Sequence, residues 1–300
     1  MQVSTNSFFR NNVENLQDLK SQTINLQEQI STGKKVNVAS DDPVAFSSLA
    51  LLKARDSRLT QYGSNINVAH QRLTLEETTL TQVTNVLTRL HELSIQGAND
   101  TLSATDRQLM STEVKGLSDT LYGLANTQDA NGQPIFSGFQ TSQPFVKDAN
   151  GAVNYTGDSY EVAQSVGDNQ QVSVGFSGYD VFSRVPVAGG PSKSVFEIVK
   201  QIGDSLAAGK SPATPGDDIS SALNHITAQL AEVGARTSTL DAAQTQLDSL
   251  KTANTNQMSS LQDTDMEKAI SDLTQKMTTM DAAQSSFVKI AQISLFNYLK

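Results

Sequence analysis

Apolar residues recur at helical spacing along most of this chain. From Met266 to Lys300, placing each residue about 100° further round a helix puts Met266, Ala269, Ile270, Leu273, Met277 and Met280 in one stripe about 100° wide. That is a seam for one partner helix. Beyond Met280 the stripe spreads: Phe287, Val288, Ile290, Ala291, Ile293, Leu295, Phe296, Tyr298 and Leu299 point to nearly every side. A helix apolar all round has to be buried all round, and one partner helix cannot do that. At the other end, Phe9, Leu16, Leu19, Thr23, Leu26 and Ile30 keep a 3/4 spacing, with Val13 beside them. Gly33 fits the position just past that helix.

Asp42 and Pro43 then supply a cap and a first turn. The pattern predicts a second helix from Pro43 to Ile95, with Gly97 as its stop and a seam including Leu49, Leu52, Leu59, Ile66, Leu73, Leu80, Leu87 and Leu90. At 1.5 Å per residue it would be about 80 Å long, a length that suits a rod better than a globule. Ser103, with Asp106 three residues on, reads as a capping box opening a third helix that ends near Asn126.

From Asp129 to Gly190 the period changes. Asn131-Gly132 and Asn150-Gly151 mark turns, and alternation at 152–155, 160–162 and 171–174 predicts four to six short antiparallel strands. A short helix follows at Val195–Leu206, then a long one through Leu223, Leu240 and Leu261. Its phase slips at Gln262–Asp265, mirroring the break at Gly33–Asp42.

The expected fold is therefore mainly α: a long helical hairpin or coiled-coil bundle with paired terminal helices and an inserted small antiparallel β-domain. Its expected parts are 1–40 with 264–300, 41–135 with 191–263, and the insert 136–190.

Composition narrows the chemistry. The 300 residues carry a net charge of -9, no Cys and no Trp. Clustered Lys and Arg are lacking, which argues against nucleic acid. The absence of Cys removes disulfides and thiolate sites. The first residues lack the basic and apolar regions of a secretory signal, and no run reaches the roughly 20 apolar residues of a membrane span. Membrane insertion is therefore not expected to cover the last helix.

No catalytic, cofactor or metal constellation is found. His70, His91 and His225 are isolated, and Asp41-Asp42, Glu76-Glu77 and Asp217-Asp218 read as caps or solvated faces. Lys34 follows Gly33 without an upstream phosphate-loop glycine. Asp-Ala-Asn-Gly at 129–132 and 148–151 lacks the full calcium-loop spacing and reads as a turn. The chain is expected to associate rather than catalyse. Surplus apolar surface marks interfaces, and repeated packing of one end builds rings or helical filaments.

Particular motifs agree. Leu26-Gln-Glu-Gln-Ile-Ser-Thr-Gly33-Lys-Lys-Val-Asn-Val-Ala-Ser-Asp-Asp42-Pro43 resembles the flagellin pattern of helix, Ser-x-Gly, apolar loop and Asp-Asp. Ile66–Leu73 fits its continuation, and Val233-Gly234-Ala235-Arg236 is also similar. Asp263-Thr-Asp265-Met-Glu-Lys-Ala269 resembles the flagellin entry to the terminal helix. The resemblance covers 1–136 and 193–300. The segments Met1–Phe8, Ala130–Gly138 and Ser294–Lys300 resemble the hook–filament junction branch, the hook-associated protein 3 family, more than filament flagellins.

That resemblance implies a non-enzymatic adaptor between hook and filament, outside the cell, exported by the flagellar type III apparatus without a cleaved signal. It implies as partners other copies of the chain, hook-associated protein 1, flagellin and an export chaperone. The alternative is a bulk filament subunit. The assembly interface is expected at Phe9, Val13, Leu16, Leu19, Leu26, Ile30, Met277, Met280, Phe287, Val288, Ile290, Ile293, Leu295, Phe296, Tyr298 and Leu299, with Met266–Met280 as the seam for the chain's own first helix.

Overall fold

The computed structural model describes residues 2–214 and 216–298. In order these form α1 (Gln2–Thr32), α2 (Pro43–Gly97), α3 (Ala104–Ala125), β1 (Phe145–Lys147), β2 (Val153–Tyr155), β3 (Ala163–Gly167), β4 (Gln170–Ser173), a π-helical turn (Tyr179–Ser183), α4 (Val195–Ala207), α5 (Asp217–Gln262) and α6 (Met266–Tyr298). Two compact units result. One comprises residues 1–58 with 250–300, and the other residues 59–249. The fold is mainly helical with a small antiparallel β region in the middle, as the periodicities predict.

In the first unit α1 packs on α6. Val36, Ala45 and Leu49 form a small core with Met258 and Leu261. The predicted cap is present: Asp42 Oδ1 accepts from the Val44 and Ala45 amides at 3.0 and 2.9 Å. Asp41 Oδ2 accepts from the Asn37 and Val38 amides at 2.9 and 3.0 Å. The amides of Val38 and Asn37 hold the Asp41 carboxyl below its ordinary value.

In the second unit the inward stripe of α2 is Leu59, Ile66, Ala69, Leu73, Glu76, Leu80, Val83, Leu87, Leu90 and Ser94, all buried. The spacing is three or four after Ile66, the stripe of a helix with one buried face. Ile219, Ala222, Ile226, Val233, Leu240, Ala243 and Leu247 form the corresponding stripe on α5. α3 packs on α4. Its capping box is complete: Ser103 Oγ accepts from the Asp106 amide, and the Asp106 carboxylate accepts from the Ser103 amide.

The β region is two separate hairpins, β1–β2 and β3–β4. The alternation at 152–155 and 171–174 marks β2 and β4, but 160–162 does not form a strand. Only its last residue pairs irregularly, the Val162 carbonyl accepting from the Val174 amide at 2.7 Å. β1, too short to show alternation, had no sequence signal. Phe145 is the centre of an aromatic cluster with Tyr155, Phe182 and Phe196, at centroid distances of 5.2, 5.4 and 5.2 Å. Gly178 passes so close that a Cβ there would lie 2.7 Å from the Phe136 carbonyl oxygen. Both Asp-Ala-Asn-Gly segments are tight turns: Asp129 and Asp148 carboxylates accept from the amides two and four residues on.

Two outcomes follow. Leu87→Ala removes a fully buried side chain and should cost about 2–5 kcal/mol in urea unfolding; a change within experimental error would contradict the packing described. Gly33, at φ +70°, should tolerate Asn better than Ala, with Ala costing about 1 kcal/mol. Amide exchange across 26–36 should rise for Gly33→Ala, and equal exchange in the two variants would count against a conformational role.

Candidate assembly interface

On α1 the face toward α6 is Phe9, Asn12, Leu16, Leu19, Thr23, Leu26 and Ile30, all buried or half-buried. On α6 the answering face is Ala269, Leu273, Lys276, Met280, Ala283 and Phe287. Both runs step by three and four, the spacing of a two-helix seam. Phe9 meets Phe287 edge-on, with centroids 5.5 Å apart and planes at 89°.

The seam of α6 differs from the reading of Met266–Met280 as one inward stripe. Ala269, Leu273 and Met280 turn inward, but Met266, Ile270 and Met277 remain 41%, 51% and 44% exposed. A stripe 100° wide holds two narrower ones, and a single partner covers one of them. Met266, Ile270, Met277 and Val288 share a second line about 80° round the helix from the seam's centre. Val288 and Ile290 are exposed as well. Phe287, assigned from sequence to the surface for other copies, lies in the intrachain seam. On α1, Val13 and Ile24 are exposed and share a line of their own. The side chains of Ile293, Leu295, Phe296 and Tyr298, and all of Leu299, lie outside the described residues.

The pair is set by a joint between the two chain breaks. Lys34 and Asp263 form an antiparallel bridge. The Lys35 amide donates to the Gln262 carbonyl at 2.7 Å, and the Thr264 amide to the Gly33 carbonyl at 2.9 Å. Lys35 Nζ donates to the Ser260 carbonyl at 2.7 Å. Gly33 turns the chain out of α1 with a positive φ. Asp265 starts α6 by accepting from the Lys268 amide at 3.1 Å, and Ala269, buried, lets α1 approach. The two breaks inferred from phase are thus hydrogen-bonded to each other.

The other polar candidates occupy structural positions. His70 Nε2 lies 2.8 Å from Asp241, and His225 Nε2 lies 2.8 Å from the Asp180 carbonyl oxygen. Among the described residues no three His, Cys, Asp or Glu gather as metal ligands, and no helix is long and apolar enough to cross a membrane. Two carboxylates contradict the solvated-face reading. Asp218 is buried and pairs with Lys193 Nζ at 2.7 Å. Glu76 is fully buried; it stands three residues after Leu73 and four before Leu80, so the stripe itself placed it inside. Arg236, three residues after Val233 and four before Leu240, occupies an inward position on α5 by the same count.

The chain matches the bacterial flagellin N-terminal helical region over residues 3–141 and the C-terminal helical region over 217–299. It is 29% identical to flagellar hook-associated protein 3 of Escherichia coli over 324 aligned positions, spanning all of both chains. It is 29% identical to the same-named protein of Salmonella typhimurium over 99% of each. In fold it is similar to flagellar hook associated protein-3 of Legionella pneumophila, with TM-score 0.66 and 21% identity over 71% of this chain and 98% of that one. FlgL of Xanthomonas campestris gives TM-score 0.61 at 21% identity, over 68% of this chain and 98% of that one. Flagellin of Clostridium tyrobutyricum aligns with only 51% of this chain. Helical arms matched at both ends and full-length alignment to proteins named flagellar hook-associated protein 3 agree: the chain belongs to the flagellin superfamily, in its hook-associated protein 3 family.

Proposed function

We propose that this chain is a non-enzymatic adaptor that joins hook to filament, with hook-associated protein 1 on one side and flagellin on the other. The observation that carries its mode of assembly is the exposed apolar line on α6 beside an occupied seam: Met266, Ile270, Met277 and Val288. Exposed apolar surface aligned along a helix is an interface surface, and a second copy of the same helix pair is its occupant. The terminal pair, 1–40 with 264–300, then forms the inner layer of a ring or short helical zone. The long bundle, 41–135 with 191–263, surrounds it, and the insert 136–190 lies outermost. Export without a cleaved signal, with a chaperone holding the C-terminal helix, belongs to the same reading and places the assembled protein outside the cell.

Full-length similarity to junction proteins, against partial similarity to flagellins, favours adaptor over bulk filament subunit. Labelled copies should number a short zone at the junction; labelling along the whole filament would support the filament subunit instead. Met277→Asp with Val288→Asp should leave helix content unchanged, since both side chains are about half exposed, and should abolish junction assembly and swimming. Normal incorporation of that double variant would remove this face from the interface.

A further inference from the structure

A buried ionic cluster joins the β3–β4 part of the insert to α2 and α5. Glu76, on α2, is 0% exposed. Neither of its carboxyl oxygens has a hydrogen-bond partner, and the nearest guanidinium nitrogen, Arg72 Nε, stands 3.7 Å away and is itself unbonded. Arg236 of α5 and Glu161 of the segment before β3 face the same carboxyl. The Phe176 amide faces it too, outside hydrogen-bond geometry.

Of the same two arginines, Arg236 bonds to the insert and Arg72 to the residue that leads into it. Arg72 Nη2 donates to the Ile135 carbonyl at 3.1 Å. Arg236 Nη1 donates to the Gly175 carbonyl at 3.2 Å and Nη2 to Glu161 at 3.1 Å. Its Nε donates to Glu232 at 3.1 Å, and its guanidinium lies 4.0 Å over the Phe176 ring. Asn65 adds a bond to the Ser165 carbonyl at 2.8 Å. The bonds to Gly175, Glu161 and Ser165, and the Phe176 amide that faces the Glu76 carboxyl, exist only while the insert is seated.

A carboxylate shut away from solvent and without a protein hydrogen bond is far less stable than a carboxylic acid in the same place. We propose that the insert is held by a proton-coupled clamp: Glu76 seats as the neutral acid beneath Arg72 and Arg236, and lifting of the insert wets the carboxyl and releases its proton. Burial pushes the Glu76 carboxyl up from 4.5 to about 8, with Arg72 and Arg236 pulling the other way. The sign follows. Below the unfolded value both seated and lifted forms are protonated, so pH has no effect. From there to about 8 only the lifted form is ionised, so rising pH favours lifting by up to about tenfold per unit. Above 8 both are ionised and the dependence levels off.

The β3–β4 hairpin reports lifting, because a lone two-stranded hairpin is marginal in water. Amide exchange of residues 163–174 in the full chain, divided by the intrinsic rate at each pH, should lose protection between pH 5 and 8 and level off above. Glu76→Gln should abolish that slope, and α3 should show none in either protein. An equal slope in Glu76→Gln overturns the proposal. If that variant does not fold, carbon NMR of the unaltered protein decides: a Glu76 carboxyl titrating near 8 supports the clamp, and one titrating near 4.5 overturns it.

Discussion

Each long helix in this chain carries apolar residues at three- and four-residue spacing, and a stripe of that kind is stable only when something covers it. In the unit formed by 59–249, α2 and α5 bury their stripes within the chain, so Leu73, Leu80, Leu87 and Leu90 on one and Ile226, Val233 and Leu240 on the other are without exposure. In the terminal unit the same condition is met on one side only. α1 and α6 cover each other along Phe9–Ile30 and Ala269–Phe287, while Val13, Ile24, Ile270, Met277 and Val288 stay exposed. The stripes are covered within the chain where they are single and stay half uncovered where they are double, and the proposed assembly uses that difference in stripe width.

The family motifs acquire physical content from the joint. Gly33 is favoured where α1 stops, because the chain leaves it with φ +70°. The Asp-Asp pair organises the chain on both sides of it: Asp41 closes the loop back on Asn37 and Val38, and Asp42 starts α2. In the returning arm, Asp265 starts α6, and Ala269 is the small residue on which α1 can rest. Between them Lys34–Lys35 and Gln262–Thr264 pair as a scrap of β-ladder. Two segments that look like loops in sequence are in fact one hydrogen-bonded element.

The arms were legible in sequence because their signals are local and repeated. A stripe of ten residues tolerates a polar intruder, and caps such as Ser103/Asp106 act within one turn. The insert was only half legible. β2 and β4 alternate, but β1 is three residues long and owes its place to Phe145 inside an aromatic cluster with Tyr155 of the paired strand and Phe182 and Phe196 from farther along the chain. The α6 seam was drawn too wide because hydrophobicity alone does not say which neighbouring stripe a single partner takes. Glu76 was misjudged by residue type: its neighbour Glu77 is exposed as expected, while the stripe count that located Leu73 and Leu80 also put Glu76 inside.

Such buried polar groups give the bundle something that Leu and Val cannot. An apolar stripe with a seven-residue repeat fits its partner in several registers, each one heptad apart. A slip of α5 along α2 would carry the largely buried Arg236 guanidinium away from Gly175 and Glu161, its partners outside α5, a loss of several kcal/mol. In the terminal unit Asn254 makes the same demand on the same two helices, donating to the Leu52 carbonyl at 3.1 Å from a position only 1% exposed. With α2 and α5 pinned by Asn254 within the terminal unit, Asn37–Asp42 and Asp263–Asp265 arrive at the joint in step. The pairing of Lys34 with Asp263 needs that registry, and the facing of α1 on α6 follows from it.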